Sequence, residues 1–200
     1  MKLGAIGCVA VLVLVVLAVL VGAGVYNNLN TLDQAVRAQW AQVENVYQRR
    51  ADLIPNLVET VKGAASFEKD TFTQVTEARS KVGQISGEAL KNIVDDPQAF
   101  ERFQQAQAGL SSALSRLMVV AEAYPDLKAN ANFRELQAQL EGSENRIAVE
   151  RKRFNETAQA FNTKRQSFPT VLIAGFFPRF AEKPYFKAAE GADRAPQVKF

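Results

Sequence analysis

Hydrophobic positions change rhythm along this 200-residue chain. From Leu3 to Val25 there is no charged residue, and Val9 to Val21 is made of Val, Leu and Ala. About twenty such residues at helical rise cross a bilayer core, so this stretch reads as one membrane span. Beyond it Leu29, Leu32, Val36, Trp40, Val43 and Tyr47 recur at three- and four-residue steps, which predicts that the helix leaving the membrane continues as one face of a bundle. Pro55, following Asp52, Leu53 and Ile54, predicts either the first turn of a new helix or a kink in the running one, and a bend in both cases. Leu57, Val61, Ala65, Phe72, Val75 and Val82 then form a second stripe that ends near Gly83 and Gly87.

Asp96 before Pro97 supplies a capping carboxylate and a proline suited to the first helical position. Phe100, Phe103, Leu110, Leu114, Leu117 and Val120 give that third helix its stripe, and Tyr124-Pro125 should stop it. Asn132 with Glu135 has capping-box spacing, and Phe133, Leu136, Leu140, Ile147, Phe154, Ala158, Phe161 and Phe168 run on to Pro169, about ten turns. Neither strand-like alternation nor a solenoid repeat interrupts this. The expectation is an all-α protein: a single amino-terminal transmembrane helix, then an antiparallel up-and-down bundle of about four long helices. Residues 1–25 are the anchor, 26–169 the bundle and 170–200 an aromatic-rich tail. In that tail Val171, Leu172, Ile173, Phe176, Phe177 and Phe180 cluster between Pro169 and Pro184, suited either to capping the open end of the bundle or to dipping into the membrane interface.

Composition narrows the chemistry. Twenty-four Lys and Arg against twenty-one Asp and Glu give a net charge of +3 with both signs interspersed, which argues against nucleic acid as a partner. The chain has no histidine, which removes the commonest general base and the imidazole metal ligand. Its one cysteine, Cys8, lies in the apolar run, so no intramolecular disulfide forms and cysteine catalysis is excluded from the soluble part. Lipid attachment at Cys8 does not suit the order of the segment, because the apolar run follows the cysteine instead of preceding it. Signal cleavage stays as a rival to a retained span, with Gly22, Ala23 and Gly24 as the small-residue site. Lys2 on one side and Arg37, Arg49 and Arg50 on the other leave topology finely balanced, and the expected arrangement is a short cytoplasmic tail with the bundle outside the cell membrane.

Several phrases resemble the LemA family: Tyr26-Asn27 after the span, Arg49-Arg50-Ala51-Asp52-Leu53-Ile54-Pro55-Asn56-Leu57-Val58, Tyr124-Pro125-Asp126-Leu127-Lys128, Asn132-Phe133, and Glu144-Asn145 with Ile147. Arg151, Asn155, Asn162 and the Phe168-Pro169 close fit the same pattern, with Phe154 standing where a tyrosine is commoner. The resemblance covers about Tyr26 to Phe186 and implies an anchored antiparallel helical bundle with no established reaction. It also hints at a membrane metalloprotease or a TPM-domain protein as partner, because relatives are often encoded near such proteins.

Charges sit on the apolar stripes: Glu68 and Arg79 on the second helix, Glu122 on the third, Glu144 and Arg151 on the fourth. Buried charge costs several kcal/mol as a rough scale unless paired, so these residues should meet as ion pairs or stay at bundle ends. A di-iron bundle site needs histidines that the chain lacks, which leaves a carboxylate-only magnesium or calcium site as the metal alternative. Ser111, Ser112 and Ser115 have no base to activate them. Asn56, Asn132, Asn145, Asn155 and Asn162 suit hydrogen bonding between helices or a shared groove.

The sequence therefore predicts a membrane-anchored protein-interaction or scaffold module with no catalytic residues, cofactor or metal. The alternatives are a carboxylate-only metal enzyme and a lipid-interacting remodelling protein. Arg49, Arg50, Asp52, Pro55 and Asn56 near one bend, and Tyr124, Pro125, Asp126 and Lys128 near another, are the expected interaction or structural motif, with Glu68, Arg79, Glu144 and Arg151. The expected partners are the lipid bilayer through residues 3–25, an unidentified protein and a second copy of the chain.

Overall fold

The computed structural model describes residues 2–64, 68–85, 90 and 92–187, with residues 2–10 as backbone alone. Ala65, Gly87, the side chain of Cys8 and the tail past Lys187, all used in the sequence reading, lie outside the described residues. Helix α1 spans Lys2–Ala64, 63 residues or about 95 Å at helical rise. Its residues 11–21 are exposed all round, as a span surrounded by lipid would be, while Leu29, Val36, Trp40, Val43, Tyr47, Ile54, Leu57 and Val61 are buried. Those positions alternate by three and four residues once Asp33 and Arg50, also buried, are put into the row.

The remaining helices are α2 (Lys69–Gln84), α3 (Pro97–Glu122), α4 (Pro125–Ala129), α5 (Ala131–Gln166) and α6 (Thr170–Ala174), with one-turn 3₁₀ segments at Ile93–Asp95 and Pro178–Phe180. Long helices run alternately away from and toward the membrane. Gln39 on α1 meets Glu150 on α5, Trp40 packs on both Phe100 and Phe154, and Arg116 of α3 reaches Gln74 of α2. This is an antiparallel up-and-down bundle.

Helix α3 begins at the Asp96-Pro97 pair, and the Asp96 carboxylate accepts from the amides of Gln98 and Ala99. The cap of helix α5 lies two residues before the expected one: Asn130, not Asn132, accepts from the amides of Asn132 and Phe133. Tyr124-Pro125 ends α3, but the chain at once makes the one-turn helix α4, which buries Leu127.

Pro55 requires a larger correction. It does not open a new helix, because α1 continues through it to Ala64, so Leu57 and Val61 belong to α1 and not to a second helix. A proline lacks the N–H that would bond the carbonyl four residues earlier, here that of Ala51. Arg79 on α2 donates its Nε to that oxygen at 3.3 Å. A guanidinium from the neighbouring helix thus takes the place of the missing amide.

Helix α2 has 16 residues against 26 in α3, so it covers only the half of α3 far from the membrane. In the near half its place is taken by the chain after α6. Residues 181–187 carry no helix and lie along the bundle, burying Lys183 and Phe186, which with Phe180 just before them fall at every third position. Among the described residues, four long helices enclose the far half, and three long helices with the strap and the short α6 enclose the near one.

Two apolar clusters follow this division. The near one holds Trp40, Tyr47, Phe100, Phe103, Phe154, Phe161, Phe180 and Phe186, and the far one is built on Ile54, Leu57, Val61, Leu110, Leu114, Leu117, Leu127 and Leu140.

Candidate functional site: a polar layer and a clamped strap

Between the two clusters each long buried row carries one polar residue at the same height: Arg50 on α1, Gln107 on α3 and Ser143 on α5. Arg50 is buried, and its Nη1 donates to Ser111 Oγ and to Glu144 Oε1, each at 2.8 Å. Its other terminal nitrogen donates to Gln107 Oε1, and the guanidinium carbon lies 5.1 Å from the Tyr47 ring centroid. Three helices are thereby tied by one cation. Among the described residues Arg50 Nε has no acceptor, and Glu144 keeps 44% of its side chain exposed, so water shares in balancing this charge. Such a layer fixes register more than it adds net stability.

A second ionic group lies nearer the membrane. Lys183 from the strap, wholly buried, places Nζ 2.5 Å from Asp33 Oδ1 on α1 and also bonds Asp95 in the turn before α3. The Asp33 contact lies off the direction of a good hydrogen bond and is chiefly ionic. Arg37 completes the group, with Nε 2.9 Å from Asp33 Oδ2 and a bond to Asp95. Burial alone would raise the Asp33 carboxyl, but the polar contacts and charges of Lys183 and Arg37 outweigh it and hold that carboxyl below the usual carboxylate range. Two acids and two bases neutralise each other.

The strap backbone is held by amide side chains of α5. Asn162 donates Nδ2 to the Lys183 carbonyl and accepts the Lys183 amide on Oδ1, both at 2.9 Å. Asn155 does the same for Phe186, at 3.0 and 2.9 Å. Seven helical residues separate the two asparagines, about 10.5 Å, and three extended residues cover about the same distance. Arg165 bonds the Phe180 carbonyl, Arg151 bonds that of Lys187, and Gln104 accepts the Lys187 amide. Arg151 also lies 4.7 Å over the Phe186 ring. The third-residue side chains enter the core while α5 bonds the peptide groups of those same residues, and α3 and α5 together bond that of Lys187.

The structure distributes the expected motif residues unevenly. Arg50 and Glu144 come together, as do Pro55 and Arg79 through the Ala51 carbonyl. Among the described residues Arg151 meets no carboxylate, and it serves the strap. Glu68 stands at the start of α2 without capping it, and Glu122 is exposed at the end of α3. Arg49, Asp52, Pro55 and Asn56 face solvent, as do Pro125, Asp126 and Lys128, with Tyr124 half-buried. Asp33, Asp95, Gln107, Ser143 and Lys183 carry no signal in the sequence reading, and Arg37 enters it only as a charge flanking the span.

Glu68, Glu122 and Glu144 do not converge, and among the described residues no three His, Cys, Asp or Glu side chains form a metal-holding group. Ser111 accepts from a guanidinium and faces no base. The groove between α2 and α3, about 520 Å3, is open and lined by Gln74, Glu77, Lys81, Arg102 and Arg116 among others. The arrangement joins helices and binds a peptide strap.

Comparison with known proteins places this architecture. Magnetosome protein MamQ 2 of Paramagnetospirillum magneticum is 27% identical over 183 residues, 84% of this chain and 66% of that protein. Magnetosome protein MamQ of Magnetospirillum gryphiswaldense is 27% identical over 178 residues, 80% of this chain and 65% of its own length. Protein LemA of Metamycoplasma hominis is 23% identical over 132 residues, 66% of this chain and 55% of its own. The chain thus spans at most about two thirds of the length of these curated relatives. The LemA family profile matches residues 39–200, which takes in α1 from Gln39 onward, the Arg50 layer, both asparagine clamps and the strap, and the chain belongs to the LemA family.

Proposed function

We propose that the protein is a membrane-tethered interaction module without catalytic activity, its bundle on the outer side of the cell membrane and a protein partner bound along the exposed face of α1. One observation carries this reading. The charged residues of the core are spent on each other or on the strap, whereas Arg49, Asp52 and Asn56 lie three and four residues apart on one solvent-facing stripe of α1. Among the described residues their side chains do little within the fold: Asp52 accepts from Gln48, one turn away on the same helix. The Arg50 layer beneath keeps α1 in register and so keeps that stripe flat and rigid, which lowers the entropy cost of docking. A membrane protease, a TPM-domain protein and a second copy of the chain are the candidates on this surface.

Photo-crosslinking side chains installed at Arg49 or Asn56 of the full chain in native membranes test the proposal, with Lys152 on the outer face of α5 as control. A discrete adduct from the α1 positions and none from Lys152 is expected. Equal labelling from all three sites, or no adduct, overturns it. Protease treatment of intact cells reports the side of the membrane, and complete protection of the bundle would reverse the assigned orientation.

A further inference from the structure

The most apolar exposed surface beyond the span lies on α6 and its flanks. Phe168 and Phe176 are each 81% exposed and Leu172 60%, with Val171 beside them. Rings left this open in water are costly, and a patch of them marks a contact surface. Its place in the fold identifies the contact. Ala174 of α6 is buried in the near cluster, against which Val25 and Tyr26 pack. The Tyr26 ring lies 5.1 Å from Phe177 and 5.3 Å from Phe180. Arg179 donates to Tyr26 Oη at 3.0 Å and to Asn30 Oδ1 at 2.9 Å.

Segment 168–180 is therefore pinned at the level of Tyr26 to Asn30, roughly 2–8 Å along the helix from the end of the apolar run at Val25. The headgroup layer of a bilayer is about that deep on each side. Charge agrees with position: from Thr157 to Ala181 the chain has Lys164, Arg165 and Arg179 and no acidic residue. An apolar patch with a basic collar at the exit of a span suits an anionic phospholipid surface.

We propose that this patch is a second membrane contact, with Phe168, Leu172 and Phe176 immersed in the interface of the leaflet that α1 leaves and the basic collar facing lipid phosphates. The bundle is then held to the bilayer at two points and cannot swing about α1. Phe180 stays buried and the half-covered Phe177 packs its ring on Tyr26 and Phe180, so the segment both closes the bundle and enters lipid.

The inference rests on the reading of residues 3–25 as a span, and the test separates the two. Full-length protein in a Cys8→Ser background, carrying a spin label at Leu172→Cys or Phe176→Cys, is placed in nanodiscs of phosphatidylcholine with phosphatidylglycerol. Collision with oxygen and with a water-soluble nickel chelate is then measured. Leu17→Cys reports the span, and Val119→Cys, exposed on α3 in the far half, reports water.

Labels at 172 and 176 should favour oxygen, between the two controls and nearer Leu17. Nickel accessibility equal to that at Val119 overturns the proposal. Protection from nickel accompanied by dipolar coupling between copies also overturns it, because a second chain then covers the patch. A water-like signal at Leu17 would show instead that the span reading has failed.

Discussion

The half of the bundle near the membrane and the half far from it solve the same packing problem with different parts. Far from the membrane α1, α2, α3 and α5 close around Leu, Ile and Val with two phenylalanines, Phe72 and Phe133. Near it α2 is absent and the fourth wall is a strap. An extended chain is much thinner than a helix about 10 Å across, and the space it leaves is filled by rings: Trp40 alone meets Phe100, Phe103, Phe154 and Phe186. Aliphatic side chains suffice where rods pack on rods. Where one rod is replaced by a ribbon, larger side chains make up the volume and polar clamps make up the lost helical hydrogen bonding.

If the halves are distinct units joined at Arg50, core truncations should act locally. Trp40→Ala should cost about 3–5 kcal/mol in urea unfolding of the detergent-solubilised full chain, and it should open the strap to proteolysis after Tyr185 or Phe186. Leu117→Ala, in the far cluster, should cost about 2–5 kcal/mol while the strap stays protected. Equal strap cleavage in both variants would show a single undivided core.

The layer between the halves gives the next largest effect. Arg50→Ala strands Gln107 and Glu144 and should cost about 3 kcal/mol, at the lower end for a broken buried pair because Glu144 can rehydrate. Combining Arg50→Met with Gln107→Leu would merge the two clusters, and stability should then stay near that of the parent or exceed it. A double variant as weak as Arg50→Ala would mean that the layer contributes stability of its own.

A smaller effect belongs to the clamps. Asn162→Ala leaves the Lys183 amide and carbonyl unpaired and should cost about 1–3 kcal/mol, with faster amide exchange confined to the strap. Exchange that accelerates equally in α2 would contradict the division. The mildest effect is that of acid. Asp33 has a folded pKa below its unfolded value of about 3.8, so the stability it contributes is complete above that pH and is lost as pH falls through the lower folded value. Strap protection should therefore decline below about pH 3.8, and Lys183→Met should shrink that decline because the carboxylate loses its main counter-charge.

Much of this was legible in the chain. The 3.5-residue rows on α1, α3 and α5 carry the fold class, and the cap at Asp96 is local chemistry. Reading Leu32 into the first stripe hid Asp33, because a hydrophobic neighbour one position away was preferred to an acid. Strict alternation from Leu29 to Val61 would have located both Asp33 and Arg50. Pro55 left a new helix and a continuing one both open for a different reason: the donor that meets the freed Ala51 carbonyl comes from Arg79, and proline rules are local. The strap was illegible because burial at Phe180, Lys183 and Phe186 has a period of three, which matches neither helix nor strand. Its partners, Asn155 and Asn162, were noticed as polar edge residues, but what they bind is some thirty and twenty residues farther along the chain.

Since α1 runs from lipid to its far tip without a break, residue count alone dictates how the protruding rod is aimed. Every added or deleted residue between Val25 and Leu29 would turn the bundle by about 100° around the membrane normal and change its stand-off by about 1.5 Å. All copies in one membrane thus share a single height and, relative to their own spans, a single azimuth.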